Sequence, residues 1–145
     1  MFDLQSVMTK EQAKGIHPVS LAFVGDAVFS LYVRKRLLAT SCAKPSEYQK
    51  NASSLVSATE QSKFVEKLLP LFTEEETEIF KCGRNAKKNT KSKAASVGEY
   101  NRSTGFEAVV GFLYLTGDKA RLNELFSLLD EQSFTVEKQA THFKP

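Results

Sequence analysis

Residues 18–39 read PVSLAFVGDAVFSLYVRKRLLA, and this stretch decides the fold class. Val19, Ala22, Phe23, Phe29 and Val33 recur at spacings of three and four, the period of one helix face, and Pro18 suits a first helical turn. The spacing predicts one long helix. Asp26 falls on the same stripe, among residues that favour burial.

Working outward, a break at Lys44-Pro45 precedes a helical stretch over 47–55. Ser57-Ala58-Thr59-Glu60 has the form of a capping box opening a helix that ends near Leu69-Pro70. Thr73-Glu74-Glu75-Glu76 opens a short helix that Gly83 is expected to close, with the early glutamates complementing the helix dipole. A basic loop follows. Residues 98–115 are again helical, Gly117 is a stop, and Asp118 caps a final helix carrying Leu122, Leu125, Phe126 and Leu129. The only β-like run, Ser133-Phe134-Thr135-Val136, is too short to build a sheet. The expectation is an all-α helical bundle, a single domain over 1–145 with its core at about 18–129 and a tail after about 137.

A length of 145 residues suits one domain, and 41% hydrophobic with 26% charged residues excludes a disordered or collagen-like chain. Mean hydropathy is −0.30. The apolar run 108–115 falls far short of the roughly 18 residues that span a bilayer, and Met1-Phe2-Asp3-Leu4 has no basic or apolar leader pattern, so a cytoplasmic protein with no membrane association is expected. Cys42 and Cys82 form no CxxC pair and are expected to be buried, reduced thiols. After the acidic Glu74, Glu75, Glu76 and Glu78 come Lys81, Arg84, Lys87, Lys88, Lys91 and Lys93 with no acid among them. That stretch reads as a polyanion-binding surface or as a solvated loop.

A second acid is misplaced in the same way. Tyr100, Ser103, Thr104, Glu107, Val110, Gly111 and Tyr114 share one helix face. A carboxylate in a core needs a cation, a hydrogen-bond network or a metal. Gly25 adjoins Asp26, and Gly105 and Gly111 flank Glu107, although a mid-helix glycine costs about 1 kcal/mol relative to alanine. Such glycines let two backbones approach closely. Two carboxylates on packed helices make an oxygen site suited to Mg²⁺. The residues alone leave, as an equal alternative, acids that are partly exposed or that form an ordinary ion pair with Arg34, Arg36 or Arg102.

Leu21-Ala22-Phe23-Val24-Gly25-Asp26-Ala27-Val28 resembles the signature of the ribonuclease III catalytic domain, an acidic and hydrophobic run ending in Leu-Gly-Asp-Ser. Glu107, within Ser103-Thr104-Gly105-Phe106-Glu107-Ala108-Val109-Val110-Gly111, looks like that family's second motif, Asp-x-x-Glu-Ala-x-x-Gly. The pairing, the Gly83-Arg84-Asn85-Ala86-Lys87 stretch, and an end where a double-stranded-RNA-binding domain would begin resemble the compact Mini-ribonuclease III subgroup. The family's other two metal-associated acids would fall at Ala22 and Thr104, a departure that bears on how many ions bind.

The resemblance implies a ribonuclease III-like helical bundle and a metal-dependent endoribonuclease that hydrolyses double-stranded RNA. It makes Asp26 and Glu107 the catalytic and metal-holding residues, with Mg²⁺ as cofactor and Mn²⁺ as its substitute. It further implies a homodimer acting on ribosomal RNA precursor, specifically that of the large-subunit (23S) RNA. Arg84, Asn85, Lys87, Lys88, Lys91 and Arg102 are the candidates for RNA contacts, which on an A-form helix would read shape and phosphates more than sequence. His17 is read as a helix-start residue, His142 as part of the tail, and Glu47 and Glu99 as spare acids. The alternative is a non-catalytic double-stranded-RNA-binding protein on the same fold.

Overall fold

Seven α-helices and no strand occur among the described residues, 3–88 and 95–133, of a computed structural model. Their order is α1 (Lys10–Lys14), α2 (Pro18–Thr40), α3 (Pro45–Leu55), α4 (Ala58–Leu68), α5 (Glu74–Asn85), α6 (Val97–Leu115) and α7 (Lys119–Ser133), with one 3-10 turn at Leu69–Leu71. Local chemistry sets most of the starts. His17 opens α2, its Nδ1 accepting from the Val19 N–H at 3.1 Å. Ser57 accepts from the Glu60 N–H at 3.2 Å, and the pair Thr73 and Glu76 closes a reciprocal capping box on α5. Glu99, read from sequence as spare, closes the same box with Ser96 at the start of α6. Gly117 takes the left-handed φ of +78° that ends α6, and Asp118 accepts from the Arg121 N–H at 3.2 Å as α7 begins.

Helix α6 lies at the centre, packed against α2, α5, α4 and α7. The core is aromatic: Phe29 meets Phe106 edge-on at 5.1 Å between ring centroids, with Phe64 at 6.0 Å. Two glycine contacts bring the helices unusually close. A Cβ on Gly25 would overlap the Glu107 carbonyl, and a Cβ on Gly111 would overlap the Leu21 carbonyl, so α2 and α6 touch backbone to backbone. On the other side of α6, a Cβ on Gly105 would lie 2.7 Å from the Phe80 carbonyl oxygen of α5.

Gly83 does not close its helix as expected. It is buried within α5, its Cα-side surface against Gly105 and Ala108, and the helix continues through Asn85. Close packing decides its use, not C-capping. Phe23 is also not core: it is 80% exposed, and Asp26 is exposed beside it, because the buried face of α2 is turned to Leu21, Ala22, Gly25, Phe29, Val33 and Leu37. Cys42 and Cys82 are exposed free thiols; α5 buries Ile79, Phe80 and Gly83, which turns Cys82 outward. Of the β-like run, Ser133 ends α7, and 134–136 lie outside the described residues, as does the tail.

One acid of the 74–78 cluster does more than oppose a dipole. Glu76 is 3% exposed, and Arg121 of α7 grips both its oxygens at 2.9 Å while donating to the Leu71 carbonyl at 2.7 Å. Glu75 meets Lys10 and Lys14, each at 3.0 Å, which ties α1 to α5.

The backbone contact between α2 and α6 yields a sharp expectation. Gly25→Ala gains about 1 kcal/mol of helix propensity but must push two helices apart, an overpacking cost of about 1–3 kcal/mol or more. A net loss of unfolding free energy in urea is expected, and stability at or above the parent's would contradict the packing described.

Candidate active site

The Gly25 contact carries the site. Because Gly25 rests on the carbonyl of Glu107, the neighbouring Asp26 and the side chain of Glu107 are thrown together, and their carboxyl groups hydrogen-bond each other. Asp26 is on the solvent side, whereas Glu107 is half-buried. Burial, followed by the hydrogen bond and the charge of Asp26, pushes the Glu107 carboxyl up to about 9. Two acids this close cannot both stay ionised without a proton or a cation between them.

Two of the three arginines considered as ion-pair partners, Arg36 and Arg102, are engaged elsewhere. Arg36 meets Asp130 of α7 at 3.3 Å, and the Arg102 Nε donates to Ser62 of α4 at 2.7 Å. The Glu107 carboxyl instead receives a hydrogen bond from Gln61 of α4, a residue 1% exposed. Sequence reading passed over Gln61. Its signal was there, since it stands three and four residues before Phe64 and Val65 on the apolar face of α4.

Ala22, at a position where the family carries an acid, is buried. Thr104, at the other, donates its hydroxyl to the Tyr100 carbonyl at 3.0 Å. Among the described residues no group of three or more His, Cys, Asp or Glu side chains comes together. The donor set at the site is therefore two carboxylates. Such a set fits a hard divalent cation that keeps several of its waters.

The basic residues divide. Arg84 stacks over the Phe80 ring at 5.7 Å and its Nε donates to Asn85 at 3.1 Å; Asn85 and Lys87 are exposed. The Lys88 ammonium turns inward and donates to the Ala86 and Arg84 carbonyls at 2.7 and 3.2 Å, capping the end of α5. Burial lowers the pKa of Lys88. Lys91 lies outside the described residues. A cleft of about 340 Å³ lined by Lys87, Lys88, Tyr100 and Asn101 joins this region to α6. Gly83 packs on Gly105 and Ala108 of α6, residues that bracket Glu107 in sequence. Glu47 is exposed on α3, and His142 is outside the described residues.

The carboxyl pair makes stability depend on pH in a defined direction. Glu107 titrates above its ordinary 4.5 in the folded state, so the folded chain binds the extra proton and stability falls as pH rises from about 4.5 towards 9. Glu107→Gln removes that fall. In EDTA at pH 8 its Tm is expected to equal or exceed the parent's, and a parallel pH dependence in both proteins would contradict the contact between the two carboxyls.

Comparison with known proteins agrees with this geometry. Residues 19–118 match the Ribonuclease III domain. The chain is 43% identical over 114 residues to Mini-ribonuclease 3 of Streptococcus pneumoniae, covering 77% of this chain and 89% of that one. It is 39% identical to Mini-ribonuclease 3 of Thermoanaerobacter (84% and 86% covered) and 38% identical to that of Staphylococcus aureus (82% and 93% covered). A crystal structure of a protein from Fusobacterium nucleatum superimposes with a TM-score of 0.73 at 26% identity, covering 81% of this chain and 93% of that one. With both acids of the two motifs held together on such a bundle, the chain belongs to the ribonuclease III family, on its Mini-ribonuclease 3 branch, and is an endoribonuclease of the ribonuclease III type.

Proposed function

We propose that Asp26 and Glu107 hold Mg²⁺, with Mn²⁺ as a substitute, and that the protein cuts double-stranded ribosomal RNA precursor, that of the large-subunit (23S) RNA, as a cytoplasmic homodimer. The observation that carries the reading is the carboxyl pair itself: one acid is desolvated, the second lies against it, and neither engages Arg36 or Arg102. Asp26 and Glu107 would hold the cation, and the chemistry it would supply there is positive charge toward the phosphate oxygens. Everything else is positioning. Asp26 presents its carboxylate from the solvent side, where a duplex can reach, and Glu107 backs it from the α6 side. Arg84 and Lys87, at and just past the end of α5, bind phosphates across an A-form groove, and Asn85 and Arg102 assist as polar neighbours. Lys88 contributes by fixing the end of α5, and Lys91 adds a further basic group.

A binding-only reading draws on the buried Ala22 and the hydrogen-bonded Thr104 in place of two acids. Retention of the partly desolvated Glu107 against Asp26 weighs against it, because a binding surface has no use for the stability that the pair forfeits.

Dimerisation is supported by α2. Phe23, Ala27 and Leu31 stand four residues apart on one exposed face, with Phe23 80% and Leu31 61% exposed. A self-complementary contact along this stripe would pair two copies about a two-fold axis and set Asp26 near its edge.

Asp26→Asn and Glu107→Gln are each expected to abolish cleavage of long duplex RNA in Mg²⁺ with helicity and duplex binding intact. Arg84→Ala and Lys87→Ala should do the reverse, leaving turnover at saturating RNA near the parent's while lowering the salt-dependence slope of binding by about one per lost contact. Parent-like cleavage by either acid variant, free of contaminating nuclease, would sink the assignment. Sedimentation is expected to show a dimer at micromolar concentration and a monomer of the Leu31→Glu variant; a monomeric parent would refute the pairing.

A further inference from the structure

Gln61 is 1% exposed on the face of α4 that also buries Phe64, Val65 and Leu68. Its Nε2 donates to the Val56 carbonyl at 3.0 Å, and its amide also hydrogen-bonds the Glu107 carboxyl. The remaining atom, Oε1, is buried without a hydrogen-bond partner. An ionised carboxylate only accepts, as an amide carbonyl does, so the bond to ionised Glu107 runs from the Gln61 NH₂. Both N–H groups are then committed, one to the Val56 carbonyl at the end of α3 and one to Glu107 of α6. An orphaned buried acceptor is destabilising, and a leucine or methionine at this apolar position would avoid it. The polar side chain persists where packing alone would not select it, on a helix that supplies neither carboxylate.

Resting on the reading of Asp26 and Glu107 as metal ligands, we propose that Gln61 is a positioning residue, whose amide N–H holds the Glu107 carboxylate in the orientation presented to the divalent cation. The donor is anchored at both ends of its helix segment. The Gln61 backbone N–H bonds the Ser57 carbonyl at 2.9 Å, and the next residue, Ser62, accepts from Arg102 of α6 at 2.7 Å. The amide is thus fixed relative to the helix that carries Glu107. A neutral donor orients the carboxylate without adding a third negative charge to two acids already in contact. Partners of this kind, one bond removed from a metal, commonly change affinity by about 10- to 100-fold.

The test uses the full-length protein with Mn²⁺ as a spectroscopic probe. Gln61→Met fills the same volume without a donor, and Gln61→Asn keeps an amide that is one methylene too short to serve Val56 and Glu107 together. In both, the Kd for Mn²⁺ measured by electron paramagnetic resonance is expected to rise about tenfold or more. The Mg²⁺ concentration for half-maximal cleavage should rise in parallel, while kcat at saturating Mg²⁺ and duplex binding in EDTA stay near the parent's. A merely structural glutamine would move the Tm and leave the metal titration alone. Parent-like Mn²⁺ affinity in either folded variant overturns the role of Gln61 and leaves Asp26 and Glu107 standing. A parent protein that binds no Mn²⁺ overturns both.

Discussion

The contact of α2 with α6 at Gly25 and Gly111 is the constraint on which the rest of the molecule depends. Without side chains at these two positions the helices meet at their backbones, and that separation determines where every neighbouring side chain lands. Asp26 follows Gly25 in sequence, and Glu107 supplies the carbonyl on which Gly25 rests, so the carboxyl pair is a direct product of the crossing. The opposite side of α6 repeats the device with Gly105 against Phe80, which draws the basic end of α5 to the same region. Packing chemistry, more than loop geometry, assembles the site.

Two glutamates drawn in from solvent, Glu76 and Glu107, are satisfied in opposite ways. Glu76 is almost wholly enclosed, and each of its oxygens has partners: the fork of Arg121, and the Thr73 N–H at 3.0 Å. Glu107 is held against another acid and an uncharged amide, and burial dominates its titration. The first arrangement offsets desolvation within the chain. The second leaves a charge deficit that a divalent cation can fill, and forfeits stability whenever none does. Local rules of stability are broken at the pair proposed to hold the cation.

The basic surface is likewise less uniform than its composition. Lys88 and Arg102 are drawn into the scaffold, one to carbonyls at the end of α5 and one to Ser62, while Arg84 is held over an aromatic ring and Lys87 remains exposed. A run of cations with no intervening acid therefore contains a scaffold group, Lys88, beside an exposed one, Lys87. Spacing alone cannot sort them, because lysine is long and flexible enough to serve either end of its reach.

The helical periodicity, the capping residues Ser57, Thr73 and Gly117, and the two acids embedded in glycine-bearing helices were all legible in the sequence, because each depends on neighbours within one or two turns. The pairing of the ribonuclease III motifs was legible too, down to the absence of acids at Ala22 and Thr104. Which of two helix faces is buried was not, since Phe23 and Leu31 satisfy the apolar period as well as Phe29 does and still point outward. Gly83 reads as a helix stop or as a packing glycine until Gly105 is placed against it. Gln61 and the Glu76–Arg121 pair join residues about 45 positions apart, and no local pattern encodes such a distance. Local hydrogen bonding and periodicity thus determined the elements, whereas the helix crossing, set by backbone-to-backbone contact at glycine, decided which acids meet and which find a cation.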